Sequence, residues 1–362
     1  MLCDPVDPPR RPEVREPGVL AVVLNWNRHL DTVACVESLL CATYPNLDIA
    51  VCDNASDDFS ALRDGLRLLD FDPVAGDGSV AVSVLDRAEA ERGAPEATGD
   101  IYLIKTGGNL GYAGGNNVGI RFAMARGYDF VWLLNNDTLV APDALDRMMD
   151  AMAEWRDAGI VGSTHFQYSS PRMKLSLGGG HFNKWFGIDT PRQSIPSDVV
   201  TNAEVDHVLG ASMLVRAAAI REVGLIDESY FLFREETDWC FRMRAAGWRL
   251  STSLLSVIWH RLGGTIRHRS PVHDYYSTRN MLLLTKRFSP QTLPTVVAYT
   301  FVRAMVPKIV RGQFARIPFV WRGFRDFFAG VTGYVELTPD APSGASKPAT
   351  ARNTASSAAE GA

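Results

Sequence analysis

The chain has 362 residues and a formal net charge of −4, and 46% of its residues are hydrophobic and 22% charged. This length suits one large α/β domain with an appendage, or two domains, and the composition is that of an ordinary globular protein. A mildly acidic chain lacks the basic balance of a general nucleic-acid binder, so we exclude that class.

The termini and the cysteines indicate a cytoplasmic protein. Residues 1–17 are rich in Pro and charge, and residues 339–362 in Ser, Ala and Thr, so we expect both to be disordered. The N-terminus lacks the apolar core of a signal peptide. No window reaches the roughly 18 uncharged apolar residues of a spanning helix. Cys35, Cys52 and Cys240 lie in apolar patterns, without a Cys-x-x-Cys pair, and are expected to be small buried side chains.

Strands alternate with helical patterns in the first half of the chain. Apolar runs predict buried strands at residues 19–24, 49–52, 101–104 and 130–134. Residues 60–98 are loosely patterned and are predicted to form a helix and a surface insertion. The alternation predicts a parallel sheet built from βαβ units and flanked by helices.

The fourth strand ends in a polar triplet, Asn135-Asn136-Asp137, and a helix pattern follows at Pro142. This places the Asp137 carboxylate at the carboxyl edge of the sheet, where open α/β folds bind ligands. One carboxylate with amide neighbours suits a hard divalent cation that takes further oxygens from a diphosphate. A strand-to-helix turn capped by Asp137 fits the same residues.

The first two strands also end in polar side chains. Asn25 and Asn27 follow the first strand, and Asp53, Asn54 and Asp57 follow the second. Neighbouring parallel strands would bring these residues into one hydrogen-bonding pocket, which suits a pyrimidine base and ribose hydroxyls. A set of Asx turns uses the same residue types, so both interpretations stay open.

A glycine-rich stretch, residues 107–117, follows the third strand and includes Asn109, Gly111, Gly115 and Asn116. It is not the dinucleotide fingerprint, since the order of its glycines differs. Its glycines indicate a close approach to the backbone, and its amides would face a nucleotide at a helix N-terminus. A flexible surface loop is the alternative.

Three carboxylates, Glu235, Glu236 and Asp238, occupy four positions at the predicted start of a helix. Crowded carboxylates raise one another's pKa, which suits a general base in a cleft. They also fit an ordinary acidic first turn.

Two later residues complete the set of candidates. His260 ends a short apolar strand, and its imidazole would complete a metal site begun by Asp137. Arg279 precedes an apolar helix predicted to begin at Met281, and would bind a diphosphate through bidentate hydrogen bonds. A structural histidine and a helix-surface arginine are the respective alternatives.

Taken in order from about Val19 to Arg287, these segments resemble the inverting family 2 glycosyltransferases of GT-A fold, and most of all their rhamnosyltransferase-like branch. The shared motifs are the Asn-Trp-Asn strand end, the Asp-Asn-x-Ser-x-Asp strand end, the glycine-asparagine loop, Leu-Asn-x-Asp, Gly-Ala-Ser, the acid cluster, a late histidine and Tyr-Tyr-x-x-Arg-Asn. The resemblance implies a Rossmann-like, mostly parallel sheet in a domain at residues 18–287.

On the donor side, Asp53 and Asp57 resemble nucleotide-binding acids. Asp137 resembles the Mg²⁺ or Mn²⁺ ligand at the end of a DxD-type motif, although Asn135 replaces the commoner leading Asp, and His260 resembles the histidine that completes that site. The predicted nucleotide-sugar side comprises Asn25, Asn27, Asp53, Asn54, Asp57, Asn109, Gly111, Gly115, Asn116, Asn136 and Arg279.

On the acceptor side, Glu236 occupies the position of the usual catalytic Asp, a departure that adds one methylene to the base. Glu235 and Asp238 would orient it. The segment that resembles the acceptor-side lining is Gly210, Ala211 and Ser212.

The resemblance implies inverting transfer of a sugar from a dTDP- or UDP-sugar, with dTDP-rhamnose suggested by the branch. The acceptor would be a hydroxyl of a glycan or of a polyprenyl-diphosphate-linked glycan, in the synthesis of cell-surface polysaccharide. A nucleotidyltransferase and a catalytically inactive carbohydrate-binding scaffold remain alternatives. The former would carry a Gly-rich, basic loop after the first strand, where this chain has Asn-Trp-Asn.

The segment 288–338 alternates apolar and aromatic side chains with cations, and between Phe288 and Val335 six cations stand against the single acid Asp326. This pattern predicts amphipathic helices that lie on a membrane surface, where each cation near an anionic leaflet contributes about 1 kcal/mol. We therefore expect a peripheral enzyme on the inner face of the cell membrane. Helices that pack on the core or on a second copy of the chain are the alternative.

Overall fold

The structure, a computed structural model, describes residues 16–69, 80–194, 201–261 and 270–337. The predicted disordered segments lie outside the described residues, apart from residues 16 and 17.

The strands form two sheets, and their order along the chain follows the predicted alternation with helices. The strands are β1 (Val19–Asn25), β2 (Leu47–Asp53), β3 (Val82–Asp86), β4 (Ile101–Lys105), β5 (Phe130–Asn135), β6 (Thr138–Val140), β7 (Ala158–Gln167), β8 (Ser170–Ser176), β9 (Gly179–Asn183), β10 (Ile188–Pro191), β11 (Asn202–Glu204), β12 (His207–Val208), β13 (Ser212–Arg216) and β14 (Arg249–His260).

The large sheet has the order β11-β14-β7-β13-β5-β1-β2-β4-β3, with β6 paired to β14 and β8 to β7. The strands from β5 to β3 are parallel, as predicted. The strand β13 is antiparallel to both β5 and β7. A small antiparallel sheet, β10-β9-β12, lies beside it. The carboxyl ends of β1, β2 and β5 therefore meet at one edge.

Helices cover both faces of the large sheet. They are α1 (His29–Leu40), α2 (Phe59–Arg67), α3 (Arg87–Glu91), α4 (Gly111–Arg126), α5 (Ala144–Glu154), α6 (Ala217–Val223), α7 (Glu235–Ala245), α8 (Pro271–Phe288), α9 (Leu293–Val310) and α10 (Ile317–Phe328).

Alternate residues of β1 face the two halves of the core. Ala21 and Val23 pack with side chains of α1, α2 and α5, whereas Leu20 and Val22 pack with those of α4, α6 and α7. Every residue from Val19 to Val23 is buried. A strand that is covered on both faces explains the continuous apolar run in the sequence.

Two sequence expectations about element boundaries were wrong. The predicted insertion at residues 60–98 contains the edge strand β3, which pairs with β4, and the short helix α3. The helix predicted from Met281 begins ten residues earlier, at Pro271, and Ser270 caps it by accepting from the His273 amide. The glycine-rich stretch opens a helix, as predicted, and that helix begins at Gly111. Half-buried or glycine-rich segments carry weak periodicity, so their boundaries were not visible.

The C-terminal helices α9 and α10 are present, as predicted, and their inner faces pack on α8 around Met281, Leu282, Val296 and Phe324. Their outer faces are exposed: Val302, Val306, Ile309, Val310, Phe314, Trp321 and Phe328.

The charges of this segment are arranged differently from the expectation of six free cations. Arg303 and Arg311 are exposed. The others form ion pairs, two with Asp274 and two with Asp326: Lys308, Arg316, Arg322 and Arg325. Four of the six cations are therefore paired within the fold, and two carboxylates offset part of their charge.

One stretch in the described part of the chain, Pro290–Val310, is long and apolar enough to cross a membrane by length and composition alone. The sequence expectation considered only windows of uncharged residues, and this stretch contains Arg303 and Lys308. Only 17% of the apolar window is buried, so α9 offers most of its surface to its surroundings.

Candidate active site

The polar ends of β1, β2 and β5 form one hydrogen-bonded cluster. The side-chain amide of Asn25 donates to Asp53 Oδ1 at 2.8 Å, and the two residues lie opposite each other in the pairing of β1 with β2. The Asn136 amide donates to Asn25 Oδ1 at 3.2 Å and to Thr32 Oγ1 at 2.9 Å. All four side chains are buried. The structure thus brings three of the predicted polar positions together through a threonine of α1 that sequence reasoning did not single out.

Asn27 and Asp57 lie at the rim of this cluster. Asn27 Oδ1 accepts from the backbone N–H of Asp57 at 2.7 Å, and the backbone N–H of Asn27 donates to Ser56 Oγ at 2.9 Å. Asn27 and Ala55 have φ of 54° and 60°, a left-handed conformation that is uncommon for non-glycine residues. Both Asn27 and Asp57 are exposed, so their side chains are accessible to a ligand.

The glycine-rich segment is bound to the protein itself. Asn54 Oδ1 accepts from the Leu110 amide at 3.2 Å, and Asn109 Oδ1 accepts from the Gly111 amide at 3.0 Å. The Tyr112 amide donates to the Phe231 carbonyl at 2.9 Å. The expectation that these helix-start amides face a nucleotide is therefore wrong for Gly111 and Tyr112, because protein oxygens already accept from them.

The glycines of α4 are explained by close packing. A Cβ on Gly111 would lie 2.1 Å from the Phe231 carbonyl oxygen, and one on Gly115 would lie 2.4 Å from Leu24 Cδ1. The neighbouring Asn116 donates to the Tyr112 carbonyl one helical turn earlier, and its Oδ1 has no hydrogen-bond partner. Only glycine allows this helix to approach β1 and the loop before α7 so closely.

Asp137 and His260 meet although 123 positions separate them in the chain. His260 Nε2 lies 3.1 Å from Asp137 Oδ1. The contact arises because β6 and the end of β14 are antiparallel, with His260 opposite Thr138. The Arg261 amide also donates to the Asp137 carbonyl at 2.9 Å. The predicted metal-site pair is thus brought together at the carboxyl edge of the sheet.

The pair fits a cation that keeps open coordination positions. A carboxylate and an imidazole are both ligands of Mn²⁺-type ions. Among the described residues, no group of three or more His, Cys, Asp and Glu side chains would hold an ion alone. Diphosphate oxygens and water would therefore complete the coordination, as is usual for metal ions that bind nucleotide phosphates.

His165 lies behind this pair, and sequence reasoning missed it. Its ring centroid is 6.2 Å from that of His260, and its Nε2 is buried without a hydrogen-bond partner. Burial lowers the pKa of His165 to about 3, so this imidazole is neutral. Only the pairing of β7 with β14 brings it near, and no local motif marks it.

The acid cluster begins α7, as predicted, after a strained approach. Phe231, Phe233 and Arg234 have φ of 64°, 68° and 79°. Such conformations persist only where the surroundings fix them, often at functional sites. Here the side-chain amide of Asn280 donates to the backbone carbonyls of Leu232 and Phe233 at 2.7 and 2.9 Å. The helix α8 therefore determines the path of the chain into α7.

Glu235 and Glu236 differ in their surroundings. Burial, followed by the charge of Glu236, raises the pKa of Glu235 well above its ordinary value, and its Oε2 has no hydrogen-bond partner. Glu236 is half-buried. Burial raises its pKa as well, and the Arg234 guanidinium partly offsets that effect. Both carboxyls therefore titrate above the usual range for glutamate.

The segment at Gly210 and Ala211 connects the acids to the metal pair. A Cβ on Gly210 would lie 3.6 Å from Glu236 Cγ, and the Tyr112 hydroxyl donates to the Gly210 carbonyl at 2.7 Å. On the other side, the Asn135 amide donates to the Ala211 carbonyl at 3.2 Å. Glu236 thus lies next to Gly210, and the end of β5, two residues before Asp137, is hydrogen-bonded to the adjacent Ala211.

Ser212, the third residue of that segment, does not line the cleft. Its buried hydroxyl accepts from Trp132 Nε1 at 3.0 Å and lies 2.8 Å from Ser163 Oγ. It belongs to the interior of the sheet, because alternate residues of β13 face opposite sides.

Asp238 does not contact the proposed base. Its carboxylate is buried between Arg242 Nε at 2.7 Å and Arg287 Nη1 at 2.8 Å, and accepts from the Tyr230 hydroxyl at 3.1 Å. The expectation that Asp238 orients Glu236 is therefore contradicted. Asp238 lies one turn into α7, and its side chain points toward Arg287 of α8.

Arg279 is also placed differently from the sequence expectation. Its guanidinium is fully buried and donates to the carbonyls of Tyr230 at 2.9 Å and Gly333 at 2.8 Å. A group committed to protein carbonyls is not available as a diphosphate clamp. It instead fixes the loop before α7 to the residues after α10.

Comparison with known proteins identifies the family. Residues 17–271 match the family described as "Glycosyltransferase like family 2". The chain belongs to this family. It is a glycosyltransferase with a GT-A fold, and the expectations of family and fold class are confirmed.

Individual relatives within the glycosyltransferases are distant. The chain is 25% identical over 219 residues to the low-salt glycan biosynthesis hexosyltransferase Agl10 of Haloferax volcanii, covering 57% of this chain and 67% of that one. It is 30% identical over 202 residues to N-acetylglucosaminyl-diphospho-decaprenol L-rhamnosyltransferase of Mycobacterium tuberculosis, covering 48% and 64%. The chain thus spans about two thirds of the length of these relatives.

Among solved structures, the fold is similar to that of GalNAc-T7, which was crystallised with UDP, GalNAc and Mn²⁺. The TM-score is 0.53 at 12% identity, over 83% of this chain and 58% of that one. At this identity the likeness shows the fold.

Proposed function

We propose that the chain is a metal-dependent, inverting glycosyltransferase that moves a sugar from a nucleotide-sugar to a hydroxyl of a glycan acceptor. The observation that supports this most directly is that Glu236 lies next to Gly210, while Asn135, two residues before Asp137, is hydrogen-bonded to the adjacent Ala211. The candidate base and the strand that leads to the candidate metal carboxylate therefore contact adjacent residues of one short segment.

The reaction is a single displacement. Glu236 takes the proton of the acceptor hydroxyl while that oxygen attacks the anomeric carbon. The bond from the anomeric carbon to the diphosphate oxygen breaks, the configuration inverts, and the nucleoside diphosphate leaves. Asp137 and His260 would hold a Mg²⁺ or Mn²⁺ ion, which supplies positive charge to the leaving group.

The donor proposal is a dTDP- or UDP-sugar, with L-rhamnose as the sugar. The name of the mycobacterial relative, a rhamnosyltransferase, supports the sugar. Asp53, Asn27 and Asp57 would contact the nucleoside, the last two through their exposed side chains.

The acceptor proposal is a polyprenyl-diphosphate-linked glycan at the inner face of the cell membrane, within cell-surface polysaccharide synthesis. It rests on the lipid-linked substrate named for the mycobacterial relative and on the exposed face of α9 and α10. A groove of about 980 Å³ between these helices is bordered by Phe301, Trp321 and Arg325. Exposed contiguous apolar surface of this kind marks sites of membrane or protein contact.

A thermal-shift screen of dTDP- and UDP-sugars with Mn²⁺ or Mg²⁺ tests the donor and the metal together, because a ligand that binds only the folded state raises its melting temperature. We expect one donor to raise the wild-type melting temperature in the presence of metal, and Asp137→Ala to lose that rise and all transfer. His181→Ala is the control, because His181 is an exposed histidine that pairs with Asp206 outside the site. Near-normal turnover of Asp137→Ala in excess Mn²⁺ would contradict the metal assignment.

A further inference from the structure

Two residues of the small sheet form a polar group beside the start of α7. His207 Nε2 lies 2.8 Å from Asp189 Oδ1, and Asp189 Oδ2 accepts from Arg234 Nη1 at 3.2 Å. The side chains of His207, Arg234 and Asp189 are 1%, 18% and 21% exposed. The Asp189 carboxylate therefore lies between an interior imidazole and the guanidinium that precedes the acid cluster.

The register of the small sheet explains why Asp189 and His207 meet. Asp189 lies opposite Phe182, and His207 lies opposite Gly180. Phe182 and Gly180 are two positions apart in β9, so both pairs lie on one face of the sheet. Gly180 makes room for the imidazole, because a Cβ there would lie 2.8 Å from His207 Cε1. The strand pairing thus brings the two side chains together.

This face of the small sheet packs against α7, on the side that carries the candidate base. The ring centroids of Phe182 and Phe241 are 5.3 Å apart, and the backbone N–H of Val208 donates to Cys240 Sγ at 3.4 Å. Glu236 precedes Cys240 by four positions, so both lie on one face of the helix. The small sheet therefore approaches the face of α7 to which Glu236 belongs.

Titratable groups from α4, β10, β12 and the start of α7 surround Glu236. They are Tyr112, Asp189, His207, Arg234, Glu235 and Cys240. Burial raises the pKa of Glu236, the charge of Arg234 lowers it, and the charge of Asp189 raises it. Burial also raises the pKa of Asp189, but the contacts with His207 and Arg234 outweigh it and leave that pKa below the ordinary value. Arg234 and Asp189 therefore face Glu236 as a pair of opposite charges.

The Arg234 guanidinium, if it were unrestrained, would compete with the acceptor for the base. A guanidinium pairs with a carboxylate through two parallel hydrogen bonds, and such a pair would occupy the oxygens that must receive the acceptor proton. Arg234 and Glu236 are both described by the structure and form no ion pair with each other, whereas Arg234 is paired with Asp189.

We infer that Asp189 is a positioning residue for the candidate base. It holds the Arg234 guanidinium near enough to Glu236 to favour the ionised carboxylate, yet away from the carboxylate oxygens, and His207 supports Asp189 from the other side. The inference rests on the proposed function, because this role exists only if Glu236 is the base. The part that the sequence suggested for Asp238 thus falls to a residue of the small sheet.

The first measurement reports the charge of Glu236 without any substrate. In a Glu235→Gln background, urea unfolding at a series of pH values would be compared with and without Glu236→Gln, because the difference follows the ionisation of Glu236. We expect Arg234→Gln to raise the pKa of Glu236 by roughly one pH unit or more, and Asp189→Asn to lower it, since a nearby cation favours a carboxylate and a nearby anion opposes it. General loosening of the fold would expose Glu236 and lower its pKa in both variants.

Arg244 offers a matched control for this measurement. It pairs with Asp206 at 2.7 Å, and so also joins α7 to the start of β12, but it lies two turns beyond Glu236. Arg244→Gln removes the same charge as Arg234→Gln and should leave the pKa of Glu236 unchanged.

The second measurement tests whether the arrangement serves the reaction. Release of dTDP from dTDP-rhamnose would be followed with Mn²⁺ and with water as the acceptor. Asp189→Asn should lower the rate roughly tenfold, less than loss of the base itself, because the released guanidinium pairs with Glu236. Adding Arg234→Gln to Asp189→Asn should recover part of that loss, whereas two independent losses would add.

The outcomes separate the inference from the proposed function. If the wild type releases dTDP but the pKa of Glu236 stays the same in both variants, or moves in the same direction in both, the inference is overturned while the proposed function stands. A double variant slower than Asp189→Asn alone would also overturn it, because Asp189 would then not act through Arg234. If the wild type releases no dTDP, the proposed function fails and the positioning role fails with it.

Discussion

The edge of the large sheet and the C-terminal helices depart from ordinary burial in opposite directions. At the sheet edge, Asn25 and Asp53 are almost completely buried, at 0% and 2% exposure, and depend on one another for hydrogen bonds. On the outer face of the C-terminal helices, Val310 and Phe328 are 80% and 68% exposed. Polar groups are thus interior in one region and apolar groups exterior in the other.

Buried polar groups and exposed apolar groups both reduce stability unless other contacts compensate, and those contacts differ between the two regions. The buried polar groups are satisfied by each other, so the site is fixed before any ligand arrives. The exposed apolar face has no partner among the described residues and is compensated only when another surface covers it. The sheet edge is therefore a preorganised site, whereas the helical face depends on its surroundings.

The largest expected effect lies at the site. Glu236→Gln should reduce kcat by roughly 10²-fold or more, the usual scale for loss of a general base, while donor affinity is retained. Glu235→Gln should reduce it less, because Glu235 is almost fully buried and Glu236 borders Gly210. Steady-state rates at saturating donor would measure both.

Which of the two variants loses more kcat decides which glutamate is the base. Greater loss in Glu235→Gln at equal folding would move the base to Glu235, and unchanged rates in both variants would remove the displacement mechanism. A Glu228→Gln variant controls for removal of an acid near the same helices, because Glu228 pairs with Arg121 away from Gly210.

A smaller effect is expected at the helical face. Replacing both Trp321 and Phe328 by Gln should reduce flotation with anionic liposomes about tenfold, since each removes exposed apolar surface that would otherwise insert into the interface. Transfer to a water-soluble acceptor should be unaffected, because neither side chain contacts the site residues. Flotation of the purified full-length chain at low salt would measure the difference.

Two exposed apolar residues elsewhere provide the control. Leu68 and Met173 are 85% and 55% exposed, and replacing both by Gln should leave flotation unchanged. Flotation that is equal in all three proteins would contradict the membrane proposal. A wild type that does not float but dissociates from dimer to monomer on the Trp321 and Phe328 changes would identify a second copy of the chain as the covering surface.

The sequence predicted features that depend on local pattern. The parallel strands were visible because residues such as Val22 and Val51 lie in continuous apolar runs that only doubly covered strands require. The start of α7 was visible because carboxylates favour a first helical turn. The edge strand β3 was missed, since its residues are mostly half-buried or exposed and carry no clear period.

The sequence did not reveal which partner a charged side chain meets. Arg279 and Asp238 both have the residue types of an active site, yet the folded chain buries one under carbonyls and the other between arginines. Conversely, Asp31 and Arg261 form an ion pair although neither belongs to a sequence motif and 230 positions separate them. Burial of a charge depends on long-range packing, which local composition does not encode.

The smallest expected effect concerns how stability changes with pH. The pKa of Glu235 is raised in the fold, mainly by burial and then by the charge of Glu236. Below the ordinary glutamate pKa, both folded and unfolded states are protonated and burial carries no ionisation penalty. As pH rises toward the raised pKa, the unfolded state loses its proton first, so stability falls, by roughly 1.4 kcal/mol per pH unit for one group.

Glu235→Gln removes that titration. Its free energy of unfolding should match that of the wild type below the ordinary glutamate pKa and exceed it increasingly as pH rises toward the raised value. Glu236→Gln should show a partial gain, because it removes the neighbouring charge. Urea unfolding at a series of pH values would measure all three proteins. If the difference in the free energy of unfolding between Glu235→Gln and the wild type stayed constant with pH, Glu235 would ionise with an ordinary pKa. The candidate site would then lack the buried acid that distinguishes it from the exposed face of the C-terminal helices.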